Sequence, residues 1–205
     1  MLNNDLHIKL CFATNNKHKL EEVTPLLKDS FELVSLDQLG CKQELPETQD
    51  SLSGNSLQKA DFVFKNFKTP CFADDTGLEV AALNGAPGVY SARYAGNHRN
   101  NDDNITLLLQ KLSGIENRSA RFCTIITLVG LTPKPVFFEG IIEGSITHER
   151  KGTTGFGYDP VFIPNGYNLT FAEMTLEQKN SLSHRAIATK KLIEYLKNLS
   201  QGLRK

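Results

Sequence analysis

Hydrophobic periodicity in this chain switches repeatedly between two spacings, and the order of the switches limits the fold. Residues 7–13 (HIKLCFA) alternate and then turn apolar, as a buried strand does. The polar cluster Thr14-Asn15-Asn16 follows, which suits a helix N-cap. Leu20, Val23, Leu26 and Leu27 then recur at helical spacing, with Pro25 expected to kink or shorten that helix. Residues 31–36 (FELVSL) read as a second strand, residues 41–54 as a polar loop, and residues 57–67 as a helix. A short strand at 70–73 runs into Asp74-Asp75-Thr76-Gly77, and Gly85-Ala86-Pro87-Gly88 is a turn.

Ile105, Leu108, Leu109 and Leu112 form a further helical stripe, with Asp102 and Asp103 at its N-terminal end. Residues 121–131 and 136–142 read as a hairpin, residues 152–157 as a glycine-rich loop, and Ser183 as the start of a last helix. The order β-α-β-α-β, then helix, hairpin, loop and helix, predicts a mixed α/β architecture in one domain spanning 1–205. Cys11-Phe12-Ala13-Thr14 echoes Cys71-Phe72-Ala73-Asp74. Chance suffices to explain the echo, but strand ends in α/β folds are where ligands bind.

Charge and cysteine usage exclude some function classes. Lysine plus arginine equals aspartate plus glutamate at 23 each, which argues against a nucleic-acid or membrane-surface partner. The four cysteines form no C-x-x-C pair and read as buried reduced thiols. No apolar run approaches a membrane span and no signal-like N-terminus is present, so a cytoplasmic location is expected. No Walker A loop and no G-x-G-x-x-G after a strand occurs, which disfavours P-loop and dinucleotide-binding enzymes.

Four polar clusters carry candidate chemistry, each with an ordinary reading beside it. Thr14, Asn15, Asn16, Lys17, His18 and Lys19 sit at a strand-to-helix junction, where free N–H groups favour phosphate; taken alone, ordinary capping by Thr14 or Asn15 with solvated lysines is the simpler account. Glu47, Asp74 and Asp75 offer hard oxygen ligands for Mg²⁺ and a carboxylate to handle water; a turn with an Asx cap is the alternative. Gly155-Phe156-Gly157-Tyr158-Asp159-Pro160 displays an aromatic ring between glycines, as base stacking requires; a turn packed on the core would look alike. Lys179 precedes Ser183-His184-Arg185, which place His184 and Arg185 at the N-terminus of the last helix, where an anion would offset them; a capped helix whose Arg185 pairs with a nearby carboxylate is the alternative.

Together these clusters make the parts of a nucleotide hydrolase, and their order is specific. With FATNNKHKLEEV, LPETQ, NSLQKA, FADDTGLEVAALNGAPGVYSARYAG, GFGYDPVF and KNSLSHRAIA, the chain resembles the inosine/xanthosine triphosphate pyrophosphatase family, also called Ham1-like, from Leu10 to about Leu199. The resemblance implies an elongated α/β fold of the Maf/Ham1 kind, with a mixed sheet and two lobes around a central cleft, typically as a homodimer. It implies Mg²⁺-dependent release of pyrophosphate from ITP, dITP and XTP.

It also implies residue roles. Thr14, Asn16 and Lys19 match the phosphate loop, Lys59 a lysine reaching the triphosphate, and Thr76 the hydroxyl beside Asp75. Glu47 and Asp75 match the metal ligands, and Asp75 also the general base. Phe156, Gly157, Tyr158 and Asp159 match the base loop, and Lys179, His184 and Arg185 the residues closing over base and phosphates.

The chain departs from the family at Asn15, Gly54, Arg150 and Thr154. At Gly54 the family often carries a glutamate, which leaves the composition of the metal shell open. A Maf-like pyrophosphatase is disfavoured by the SHR and GFGYDP motifs, and a nucleotide sensor without turnover by the intact Glu47/Asp75 pair. An interaction protein with a remnant pocket is the third rival.

Overall fold

A computed structural model describes residues 9–27 and 32–202. Among these residues seven strands form one mixed sheet in the order β2-β1-β3-β5-β6-β7, with β4 paired to β3. The chain divides into two compact units: residues 1–74, 125–138 and 189–205 make the first, and residues 75–124 and 139–188 the second.

In the first unit, β1 (Lys9–Phe12) lies parallel to both β2 (Glu32–Val34) and β3 (Cys71–Val80). The two echoed segments are direct neighbours: Cys11 faces Cys71 and Phe12 faces Phe72 in register. The two phenyl rings stack at 4.5 Å. Helix α1 (Lys17–Leu27) contains Pro25 and continues past it. Only two described residues of the helix lie beyond Pro25, which has no N–H to offer the carbonyl one turn back. The second strand is shorter than the apolar run suggested: Phe31 lies outside the described residues, and Leu36 is buried from a turn.

Helix α2 (Leu52–Phe67) begins earlier than its apolar stripe, taking residues 52–54 from the expected loop. Ser51 caps it by accepting from the Gly54 N–H. Its buried face mixes Ala60 and Val63 with Asn55, Ser56 and Lys59. Each polar group on that face has a partner, as burial demands. Ser56 Oγ meets Thr127 Oγ1 at 2.6 Å, Lys59 meets Glu47, and Asn55 Oδ1 accepts from the Gln49 N–H.

The acidic run is not a turn at a strand end. Strand β3 passes straight through Asp74, Asp75, Thr76 and Gly77 to Val80. Gly77 permits this: a Cβ there would stand 2.6 Å from the carbonyl oxygen of Gly88 on β4 (Pro87–Gly88), which pairs antiparallel with β3. The Gly85–Gly88 turn is present, with Gly85 at φ +84°.

The second unit packs helix α3 (Asn101–Lys111), through Ile105, Leu108 and its C-cap Leu112, with Leu78, Val80, Phe122, Phe162 and Phe171. Asn100 caps α3 by accepting from the Asp102 and Asp103 N–H groups. Strands β5 (Ser119–Val129) and β6 (Val136–Ile146) are neighbours in the sheet, and β7 (Phe162–Pro164) pairs antiparallel with β6. Helix α4 (Leu176–Leu182) carries a reciprocal cap between Thr175 and Gln178, and helix α5 (His184–Gly202) follows after Ser183. Gly140 on β6 lets the first turn of α5 approach, since a Cβ there would come within 2.6 Å of the Ala188 nitrogen.

Candidate active site

The first unit holds the N-terminal loop and the Glu47 segment. Thr14 is buried, and its Oγ1 accepts from the Asn16 N–H; Asn16 Oδ1 accepts from the Lys19 N–H. These bonds fix the start of α1, so capping is one real role of the cluster. Lys19 reaches across to β3, with its Nζ 2.8 Å from Asp74 Oδ1. The Asp74 side chain is fully buried. Asp74 is thus the lysine's anchor, and neighbouring strand residues leave opposite faces, so Asp75 points the other way. Asn15, Lys17 and His18 are exposed, with His18 Nδ1 3.4 Å from Glu21.

Lys59 is buried on α2, and its Nζ lies 2.6 Å from Glu47 Oε1. Glu47 keeps a partly exposed carboxylate, at 22% of its side-chain surface. The loop is pinned to α2 by the Gln49 N–H on Asn55 and the Thr48 N–H on Gln58. This packing explains the glycine at position 54: a Cβ there would stand 2.7 Å from Gln49 Cβ. The place of a side chain is taken by the loop that carries Glu47.

The second unit holds Asp75, Thr76, the 155–160 loop and the cations. Asp75 and Thr76 are half-buried on β3. Phe156 is half-buried, with Lys179 Nζ 5.0 Å and Arg185 Cζ 5.5 Å from its ring centre. Asp159 organises this group: its Oδ2 accepts from Lys179 Nζ at 2.6 Å and from the Phe156 N–H at 2.8 Å. Gly155 is positioned for the same contact, since a Cβ would strike the Asp159 carboxylate. Lys179 is thus paired with a carboxylate of the protein itself.

His184 and Arg185 are both buried. The His184 ring stacks on Phe122 at 4.6 Å, and Arg185 Nη2 donates to Thr76 Oγ1 at 3.1 Å. Tyr158 is not displayed; its ring belongs to the core and its hydroxyl donates to the Ser91 carbonyl at 2.9 Å. Burial raises its pKa. Gly157 is half-buried, at φ +59°.

Two site neighbours were not read from the sequence. Thr124 on β5 sits 2.6 Å from Thr76, and Ser91 receives Tyr158. Both pairings join distant segments, so no local spacing announces them. The four cysteines are free and buried, as expected, and burial pushes Cys11 up to about 12 and Cys123 up to about 11. Such thiols are poor nucleophiles. Among the described residues no helix is long and apolar enough to cross a membrane.

A half-buried strand carboxylate with a hydroxyl beside it, a cation-flanked ring on a glycine loop and lysine-linked acids make a nucleotide-handling class of protein. The chain belongs to the Ham1 family, whose pattern it matches over residues 10–195. It is 55% identical over 189 residues to the dITP/XTP pyrophosphatase of Porphyromonas gingivalis, covering 92% of this chain and 97% of that one. The Ham1 protein of Staphylococcus aureus superposes with a TM-score of 0.84 at 34% identity, covering 93% of this chain and 98% of that one. The HAM1 protein of Coxiella burnetii does so at 0.85 and 35%, covering 93% and 99%.

Proposed function

We propose that this protein hydrolyses dITP, ITP and XTP to the monophosphate and pyrophosphate. The geometric observation that carries the reading is the Phe156 ring flanked by the Lys179 and Arg185 cations, with Arg185 tied to the hydroxyl next to Asp75. The relative from Porphyromonas gingivalis supplies the substrate class.

A purine base stacks on Phe156, and its polar edge is read by Arg185 and the backbone of residues 157–159. Thr14, Asn16, Lys19, Lys59 and Lys179 hold the triphosphate, with Asn15, Lys17 and His18 at its solvent edge. Asp75 orients a water toward the α-phosphorus and takes its proton.

A divalent ion, assigned as Mg²⁺, fits the donor set. Among the described residues no group of three or more His, Cys, Asp and Glu side chains could hold a metal ion by itself. Mg²⁺ is commonly held by one or two carboxylates with substrate phosphates and waters completing the shell. Glu47 and Asp75 take that role. When bound, the ion would offset charge on the phosphates. Lys59 keeps the Glu47 carboxylate oriented for it. The working form is a cytoplasmic homodimer, which light scattering in solution checks.

Asp75→Asn tests the assignment. It should keep ITP binding and lower turnover by a hundredfold or more, about the scale of a lost general base and metal ligand. Turnover within a few fold of wild type would remove Asp75 from the reaction.

A further inference from the structure

We infer that Thr154 is a positioning residue for the base: its hydroxyl ties the exposed arm of the 151–160 loop to the core and so sets where the Phe156 ring is presented. The inference rests on the reading of Phe156 as the base-stacking ring given above.

The loop is fastened at its two ends. The Lys151 N–H donates to the Pro160 carbonyl at 2.8 Å, and the Lys151 carbonyl accepts from Thr170 Oγ1 at 2.9 Å. On the C-terminal side Tyr158 and Asp159 are buried, and Asp159 accepts from the Phe156 N–H. The arm between them, residues 152–155, is exposed throughout. It has glycines at both ends, at φ +78° and +76°. Burial cannot order such a stretch, and its glycines widen the choice of backbone conformations.

Thr154 supplies the missing restraint. Its N–H and its Oγ1 both reach the Ala172 carbonyl, at 3.2 and 2.7 Å. A carbonyl only accepts, so the hydroxyl donates. The Met174 carbonyl, at 3.4 Å, is the more distant acceptor for the same proton. Ala172 is itself buried, and its neighbour Phe171 belongs to the core. The arm lies directly against this segment, since a Cβ at Gly152 would stand 2.6 Å from the Glu173 nitrogen. Phe156 follows two residues after the tie. Without the hydroxyl one N–H bond holds the arm, and the ring more often leaves its place beside the Lys179 and Arg185 cations.

Thr154→Val removes the hydroxyl and keeps the branched shape. Hydrogen exchange of amides 152–158, read by mass spectrometry without substrate, should speed up about three- to tenfold, the scale of one hydrogen bond. KM for ITP should rise by a similar factor with kcat within about twofold, because stacking is binding shared by ground and transition states. Thr154→Ser, which restores the hydroxyl, should return both readouts to the wild-type values. Thr132 provides a control: its Oγ1 donates to the Lys134 carbonyl, also at 2.7 Å, between β5 and β6. Thr132→Val should move neither readout.

A double-variant cycle with Phe156→Ala decides whether Thr154 acts through the ring. Once the ring is gone, Thr154→Val should raise KM no further. Unchanged exchange or KM in Thr154→Val, or additive KM changes in the double variant, would overturn the inference while a raised KM in Phe156→Ala leaves the stacking reading standing. An unchanged KM in Phe156→Ala sinks that reading and the inference with it. Thr154→Ala and Phe156→Leu make the same comparisons where the first variants do not fold.

Discussion

Replacing Asp159 by asparagine removes the negative member of a buried ion pair while keeping the side chain's shape. Asp159 and Lys179 expose 4% and 5% of their side chains, and their charged atoms are 2.6 Å apart. Removing one partner of such a pair costs about 3–5 kcal/mol. Asparagine can still accept one hydrogen bond through its Oδ1, so the lower end applies, about 3 kcal/mol. For a chain of this length each kcal/mol moves Tm by about 2–4 °C, so a loss of about 6–12 °C is expected. Adding Lys179→Met should recover part of that loss, because the thioether packs where Phe156 and Phe171 now face the ammonium. Calorimetric melting of the two single variants and the double variant makes the comparison. A double variant less stable than Asp159→Asn alone, or an Asp159→Asn loss under about 1 kcal/mol, would refute the pairing argument.

Glu47→Gln should raise the Mg²⁺ concentration for half-maximal rate, since one anionic ligand becomes neutral; an identical titration would place Glu47 outside the metal shell. Phe156→Ala should weaken use of ITP and of ATP by similar factors, about 1–3 kcal/mol of stacking each, while Arg185→Ala narrows the gap between them. The reverse pattern in kcat/KM would exchange the two roles. Glu173 accepts from the Thr170 N–H, which lowers its pKa from the ordinary value of 4.5. Its stabilisation is complete above that value and disappears as pH falls through the lowered one, so Glu173→Gln should flatten the acid limb of a Tm-against-pH curve.

The periodicities carried most of the architecture because the helices bury one stripe each, while β1 and β3 contain apolar runs buried on consecutive residues. What they misplaced was decided by tertiary pairing. Asp and Gly are depleted in strands, yet β3 runs through Asp74, Asp75 and Gly77 because β4 pairs alongside Gly77. Helix α4 was legible in principle: Thr175 and Gln178 form a capping box in sequence, but its seven residues include too few apolar ones to show a stripe.

The candidate site divides the same way. Residue types and motif order pointed to Asp75, Phe156, Lys179 and Arg185. That Asp74 anchors Lys19, that Tyr158 belongs to the core, and that Thr124 backs Thr76 depend on segments far apart in the chain. No local pattern encodes such contacts. Gly54 reads as a departure in sequence and as a packing requirement in the structure, because Gln49 occupies the space beside it.

The central claim is a choice of both bond and base, and product analysis tests both together. Purified protein with Mg²⁺ is offered ITP and ATP in separate reactions, and the nucleotide and phosphate products are resolved by chromatography. IMP and pyrophosphate in equal amounts are expected from ITP, with ATP consumed far more slowly. IDP with orthophosphate, or equal consumption of ATP, would contradict it.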